Sequence, residues 1–233
     1  MTGTSPRRKT GGRQAQIGLT DIEREGLRLG LANLTVNGVA GALGVTPAAL
    51  YRHVDGKFGL ESVVGEAVLA ALHIVDDPAD DLDAHLLSFA QQIRVFVLDR
   101  PGLAAYMQTL FPRGASGLRL QREAVEALGR RGYGAAGAVM LSGTVASLAI
   151  NLTAAEERHR PYHDGGPQQR ELEKVYALLA TDEVLAPVHA ELPAISSDDY
   201  FLMVMTACIR GLTTAAPPNR PVIEILTDLG LTD

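Results

Sequence analysis

Residues 35–57 have a pattern that predicts two short helices joined by a tight glycine turn. Thr35 is suited to cap the first helix, because its hydroxyl can accept a hydrogen bond from a free backbone N–H. Apolar residues then follow at helical spacing. Gly44 supplies the backbone freedom that a helix end needs. Pro47 suits the first position of the second helix, where a missing N–H costs nothing. The pattern therefore predicts a helix-turn-helix, a motif whose second helix enters the DNA major groove.

The run from Leu43 to Val54, followed by Lys57, resembles the DNA-binding domain of the TetR family of transcriptional repressors. The order leucine, tyrosine, any residue, histidine at residues 50–53 is more specific than a generic helix-turn-helix. The resemblance covers residues 17–72 in detail. It implies a groove-facing start of the recognition helix formed by Thr46, Pro47, Ala48 and Ala49, and phosphate contacts from Thr35, Tyr51, His53 and Lys57.

The rest of the chain also has helical periodicity, and no strand-like alternation recurs. We therefore predict an all-α protein in three parts. Residues 1–16 form a basic flexible arm, and residues 17–75 form an N-terminal three-helix helix-turn-helix domain that includes the start of a linking fourth helix. Residues 76–233 form a larger C-terminal helical domain, which by the resemblance binds a ligand and dimerises. We expect the first helix to open at Thr20 and the fourth to continue to Ile74.

The charge of the chain is unevenly distributed. The net charge is −6, which by itself argues against a nucleic-acid partner. Residues 1–16, however, contain no acidic residue and four basic ones, namely Arg7, Arg8, Lys9 and Arg13. An acidic body with a basic arm beside a helix-turn-helix is compatible with DNA binding. A disordered, solubilising tail is the alternative interpretation of the arm.

Cysteine usage and hydropathy predict a cytoplasmic protein without a membrane partner. Cys208 is the single cysteine, so no internal disulfide can form. The first sixteen residues contain no apolar signal segment. Residues 134–155 carry no charge and are long enough to span a bilayer, but Gly, Ala, Ser and Thr dominate them, which favours a buried helix. By the resemblance, this helix and residues 200–215 form half of the four-helix bundle of a homodimer.

The sequence contains no motif for catalysis, phosphate binding or metal binding, and we predict no enzyme, no cofactor and no metal. His159 and His163 have the spacing of a helical zinc pair, but Pro161 between them indicates a loop. A small-molecule cavity needs mostly apolar side chains and a few polar groups. Our candidates for its lining are Phe89, Phe96, Tyr106, Met107, Phe111, Met140 and the lone amide Asn151.

Together these features predict a ligand-responsive repressor of the TetR type, released from double-stranded operator DNA by an unidentified small-molecule effector. The first alternative is a helical small-molecule-binding protein without operator binding. Asn37 and Gly38 support it, because the family often places an arginine and a larger residue there. The second alternative is a helical enzyme that retains a helix-turn-helix, and no catalytic motif supports it.

Overall fold

The computed structural model describes residues 17–109, 111–159 and 165–232. This part of the chain contains twelve α-helices and no β-strand, which confirms the all-α prediction. The helices are α1 (Leu19–Leu29), α2 (Val36–Leu43), α3 (Pro47–Leu50), α4 (Gly56–Leu69), α5 (Leu82–Leu98), α6 (Leu103–Thr109), α7 (Ala115–Arg130), α8 (Ala135–His159), α9 (Pro167–Leu179), α10 (Leu185–Glu191), α11 (Ser197–Ala215) and α12 (Val222–Asp228).

Helices α1 to α4 share one small hydrophobic core. Ile22, Val39, Leu50, Leu60 and Val64 belong to it, and none of these side chains is exposed to solvent. One residue from each of α1, α2 and α3 therefore meets two from α4. Burying a side chain of this size stabilises a fold by about 1.5–3 kcal/mol, so this cluster holds the four helices together.

The two short helices of the predicted helix-turn-helix form as expected. The Thr35 hydroxyl accepts a hydrogen bond from the Gly38 N–H at 2.9 Å and caps α2. Gly44 ends α2 in the left-handed conformation, with a φ of 66° that a residue with a side chain adopts only under strain. Pro47 occupies the first turn of α3. The Thr46 side chain makes no capping hydrogen bond, so α3 begins on backbone contacts alone.

Two predicted helix ends are wrong. Helix α1 begins at Leu19 rather than Thr20, because the Asp21 carboxylate accepts a hydrogen bond from the Gly18 N–H at 3.1 Å. Helix α4 ends at Leu69 rather than near Ile74.

The early end of α4 has a cause far away in the sequence. The Arg119 guanidinium of α7 donates to the Leu69 carbonyl at 3.2 Å and to the Leu72 carbonyl at 2.8 Å. These bonds satisfy carbonyl groups that an ending helix leaves free. The Gln92 amide of α5 then pairs with both the N–H and the carbonyl of Val75, at 2.8 and 2.9 Å. The chain beyond α4 is therefore held in an extended path by side chains from α5 and α7.

Helix α8 is the central helix of the C-terminal domain and packs against α5, α6, α7 and α11. It is long and apolar enough to cross a membrane, but a central core helix has the same character. Arg94 of α5 joins it to α11: the guanidinium binds the Glu156 carboxylate through two hydrogen bonds of 2.9 and 3.0 Å, and binds Asp198 at 2.6 Å. A bidentate pair of this kind is among the stronger polar contacts in proteins.

Two surfaces of the C-terminal domain expose apolar side chains. On α8 and α11, one face of each helix is exposed, including Val139 and Met203. Helices α9 and α10 have no buried residue at all, and Val175, Leu178 and Val188 are at least half exposed. Helix α10 was not predicted from the sequence, since its seven residues are too short for a clear periodic pattern.

A buried histidine lies where α5 meets the end of α7. The His85 Nδ1 atom is 2.7 Å from the Asp76 carboxylate, which also binds Arg130 at 2.6 Å and Arg131 at 2.9 Å. Burial lowers the pKa of His85, and the positive charge of Arg131 adds to this effect. Burial acts to raise the pKa of Asp76, but hydrogen bonds from Arg131 and Arg130 outweigh it and lower this pKa to about 2.

The fold should therefore lose stability on mild acidification. Because the pKa of His85 is lowered in the native state, the folded chain takes up a proton there less readily than the unfolded chain, in which a histidine has a pKa of about 6.5. The free energy of unfolding should fall as the pH drops from 6.5 toward the lowered pKa of His85. Urea unfolding at pH 7 and pH 5 measures this loss, which should be smaller in His85→Leu. His73→Leu, which removes an exposed histidine, is the matched control. An equal loss in His85→Leu and the unaltered chain would contradict the assignment.

Candidate DNA-binding surface and ligand cavity

Most of the residues predicted to contact DNA within the helix-turn-helix are exposed to solvent. The anchors Leu50 and Val54 point into the core, with 0% and 5% of their surface exposed. Ala49 is half-buried. The remaining predicted contacts are exposed, namely Thr35, Thr46, Pro47, Ala48, Tyr51, His53 and Lys57. The fold thus leaves the side chains at the start of α3 and the predicted polar contacts accessible to solvent.

This surface has little positive charge. Residues 34–57 contain Arg52 and Lys57 against Asp55, a formal balance of +1. Lys57 is moreover 3.5 Å from Glu61, one turn further along α4. The four predicted basic contacts of the arm, Arg7, Arg8, Lys9 and Arg13, lie outside the described residues.

A cavity of about 170 Å³ lies in the C-terminal domain, between the segment after α4 and helices α5 to α8. Apolar side chains form most of its wall. The lining residues are Leu72, Ile74, Phe89, Ile93, Met107, Phe111, Leu120, Gln121, Ala124, Ser142, Gly143, Ala146, Ser147 and Ile150. A mostly apolar cavity with a few polar groups is the usual form of a small-molecule site.

The structure brings three of the seven predicted ligand residues to the cavity, namely Phe89, Met107 and Phe111. Phe96 is two helical turns, about 10.5 Å, beyond Phe89 on α5, and it stacks under Arg100 instead. Tyr106 packs on Gly65 of α4, which leaves no space for a Cβ there.

The other two predicted ligand residues lie on α8 but off the cavity. Met140 is half-buried and precedes the lining part of the helix. Asn151 is exposed, donates to the Ser147 carbonyl at 2.7 Å and accepts from Gln108 at 2.8 Å. The sequence predicted a lone amide in an apolar helix, but a surface position with two partners explains Asn151 without a ligand.

Small residues contribute to the cavity, which the sequence did not predict. The small residues of 134–155 indicated a buried helix, and four of them, Ser142, Gly143, Ala146 and Ser147, line the cavity. Their spacing places them on neighbouring positions of one helix face, where short side chains leave space. Leu120, which faces them from α7, follows the ordinary apolar pattern of that helix, and no local signal distinguishes it from a core residue.

Helix α4 is held to the cavity wall by a carboxylate. The Glu66 side chain of α4 accepts hydrogen bonds from the backbone N–H groups of Ser116, at 2.7 Å, and Gly117, at 3.4 Å, in the first turn of α7. The Tyr106 hydroxyl is 3.4 Å from the same carboxylate. Burial and the charge of Glu66 raise the pKa of Tyr106 to about 12, so its hydroxyl is a donor at neutral pH. The negative charge at the start of α7 also suits the helix dipole.

A second link joins the N-terminal domain to the turn between α5 and α6. The Ala32 N–H donates to the Pro101 carbonyl at 3.1 Å. Gly102, next in the turn, has a φ of 88°, and a Cβ there would lie 2.6 Å from the Ala32 nitrogen. Glu157 of α8 accepts from the Gly102 N–H at 2.8 Å and fixes the turn. The backbone of the N-terminal domain thus contacts the C-terminal domain directly.

The Glu66 contact should contribute to stability as a helix cap does. Replacing Glu66 by Gln keeps the shape of the side chain and removes its charge. We expect the free energy of unfolding to fall by about 1 kcal/mol. Glu61→Gln on the same helix is the matched control, because a pair of this spacing on a helix, such as that of Glu61 with the exposed Lys57, is worth only about 0.3–0.5 kcal/mol. Urea unfolding measures both, and equal losses would show that Glu66 does not cap α7.

No residue group with three or more possible metal ligands occurs in the described parts of the chain. His163 lies outside the described residues, so the predicted loop between His159 and His163 stays a prediction.

Comparisons with known proteins give the fold a family context. No protein-family model matches the chain, and no curated protein matches it significantly by sequence. Solved structures do match. ActR, a TetR family protein of Streptomyces coelicolor solved with actinorhodin, has a TM-score of 0.73 at 18% identity, over 87% of this chain and 100% of ActR.

Two further structures show the same similarity. A possible TetR family transcriptional regulator from Streptomyces coelicolor A3(2) has a TM-score of 0.62 at 22% identity, over 84% of this chain and 97% of the other. A TetR variant from Acinetobacter baumannii AYE, solved with minocycline, has a TM-score of 0.61 at 20% identity, over 87% and 94%. The fold is therefore that of the TetR family regulators, as the residues around Tyr51 predicted.

Proposed function

We propose that this chain is a ligand-responsive transcriptional repressor of the TetR type. It binds double-stranded operator DNA through α3 and leaves the operator when a small molecule occupies the cavity. The observation that carries the proposal is that one helix, α4, connects the helix-turn-helix with the wall of the cavity. Helix α4 shares one hydrophobic core with the recognition helix near its start, and toward its end it is hydrogen-bonded to α7, which forms a wall of the cavity.

In this proposal, one set of residues positions the protein on the operator, and another set reads the base sequence. Tyr51, His53 and Lys57 bind phosphates and set the register, while the start of α3 faces the base edges. Thr46, Pro47 and Ala48 are small, so thymine methyl groups and DNA shape carry more of the specificity than paired hydrogen bonds do. Because residues 34–57 have a balance of only +1, the basic arm of residues 1–16 supplies much of the attraction to phosphates.

Release follows from the bonds that hold α4. A ligand in the cavity presses on Leu72 and Ile74, directly after α4, and on Leu120 of α7. Both sides of the Glu66 and Arg119 contacts are therefore displaced together. Two recognition helices reach successive major grooves only when they are about 34–36 Å apart. A ligand that binds more tightly to the displaced form shifts the population away from the DNA-bound form.

The operator-binding form is a homodimer. The exposed faces of α8 and α11, with Val139, Met203 and Ala207, provide the apolar surface for a four-helix bundle with a second copy. The ligand-bound forms of ActR and of the Acinetobacter TetR support a small-molecule effector for this fold.

Tyr51→Ala should weaken operator binding by about 1.5–3 kcal/mol, the range for a hydrogen bond to a charged group. Tyr176→Ala on α9 is the matched control, because the two tyrosines are 57% and 60% exposed. The operator is first selected from randomised duplexes with the full chain, and affinity is then measured by fluorescence anisotropy. Equal affinities with intact circular dichroism would remove Tyr51 from the contacts. Failure to select any duplex would contradict operator binding and favour the helical small-molecule-binding protein.

Met203→Glu should convert the dimer to monomers, because a second copy would bury the new charge without a partner. Met203 is 52% exposed in the single chain, so the change does not disturb the core. Ile223→Glu on α12, at a position 60% exposed, is the control and should remain dimeric. Sedimentation velocity distinguishes the two species. A dimer of Met203→Glu with unaltered affinity would exclude this face as the interface.

A further inference from the structure

The chemistry of the cavity wall restricts which effector it can hold. Among the fourteen described residues that line it, none is aspartate, glutamate, lysine, arginine or histidine. An ion that leaves water for such a site has no opposite charge to compensate the lost hydration, and the cost is several kcal/mol.

Three charged side chains close in sequence to the lining are engaged elsewhere, whereas Arg122, which follows Gln121, is exposed and does not line the cavity. On α7, Arg119 binds the carbonyls of Leu69 and Leu72 and pairs with Glu123 at 3.0 Å. Arg113, close to Phe111, stacks over the rings of Phe58 and Tyr106. Recruiting one of these groups to a charged ligand would break a contact that holds the fold.

Two of the three polar side chains of the cavity lie toward one end, while the third, Ser142, is buried and donates to the Ala138 carbonyl at 2.7 Å. Leu72 and Ile93 are 3% exposed and form part of its deep wall. Gly143 and Ser147 are exposed on α8, and Gln121 is half-buried on α7, so these three lie near the opening. Within the described parts of the chain, the Gln121 and Ser147 side chains make no hydrogen bond. An amide and a hydroxyl at the opening can each donate to and accept from a ligand.

We propose that the effector is a small uncharged aromatic molecule with one hydroxyl, carbonyl or amide group. Its ring lies between Phe89 and Met107, side chains that suit a flat aromatic partner. Its polar group hydrogen-bonds to Gln121 and Ser147 at the opening. The volume of about 170 Å³ is close to the roughly 150 Å³ of an engineered cavity that binds benzene. This inference rests on the proposed function, since it assigns the chemistry of its effector.

Four one-ring probes test the proposal, because they differ only in one substituent. These are p-cresol, toluene, p-toluate and 4-methylbenzylammonium, titrated at neutral pH and followed by ligand-observed NMR. We expect p-cresol to bind more tightly than toluene by about 2- to 10-fold, the value of one hydrogen bond. Both charged probes should bind at least about tenfold more weakly than p-cresol.

Two variants test whether the probe binds in the cavity. Gln121→Leu should remove the advantage of p-cresol over toluene and leave toluene binding in place. Gln168→Leu, at an exposed glutamine of α9 outside the lining, is the matched control and should bind as the unaltered chain does. An advantage of p-cresol that survives Gln121→Leu would overturn the role of this amide.

The remaining outcomes separate the effector chemistry from the function. Tight binding of p-toluate would overturn the uncharged class. Tight binding of 4-methylbenzylammonium would overturn it as well, and would point to the adjacent cavity of about 140 Å³ lined by Asp76, Glu123 and Glu126. Absence of binding by all four probes would overturn the assigned class. In each case the operator selection with the full chain still decides whether the chain is a DNA-binding regulator.

Discussion

Helices α4 and α7 hold each other in place through hydrogen bonds in both directions. Helix α4 belongs to the core of the N-terminal domain through Leu60 and Val64. Its Glu66 carboxylate caps the start of α7, and Arg119 of α7 binds the carbonyls where α4 ends. Each helix therefore satisfies backbone groups of the other, which would otherwise be buried at a cost of about 1–3 kcal/mol each. Neither helix can shift alone without breaking bonds at both places.

Several charged side chains are engaged in contacts between helices, and this affects both candidate sites. Arg94 is used in joining α5, α8 and α11, and Arg119 is used in ending α4. Asp76 holds Arg130 and Arg131 together beside the buried His85. These charged side chains make contacts between helices, and none of them lines the cavity. The helix-turn-helix likewise has few basic residues of its own, so in the proposed function the arm has to supply attraction to DNA.

Local sequence patterns predicted the elements whose stability is local. The Thr35 cap and the Gly44 helix end depend on residues within a few positions, and both form as expected. The end of α4 was predicted wrongly because Arg119, fifty residues away from Leu69, determines it. The cavity was predicted only in part for the same reason. Aromatic residues such as Phe89 are conspicuous in a sequence, whereas the small residue Gly143 makes space only because of what packs opposite it.

The exposed face of α8 connects the two proposals that concern the C-terminal domain. Gly143 and Ser147 lie on this face and also line the cavity, so one stretch of helix serves both. A second copy that packs on α8 would approach the opening of the cavity. In these two proposals, small side chains at this place have two effects: they allow close packing of helices, and they leave a passage for a ligand. In a dimer of this kind, a ligand at Ser147 would contact the interface as well as α7. Ligand binding would then act on the distance between recognition helices through two routes, the bonds that hold α4 and the packing of α8 on its partner.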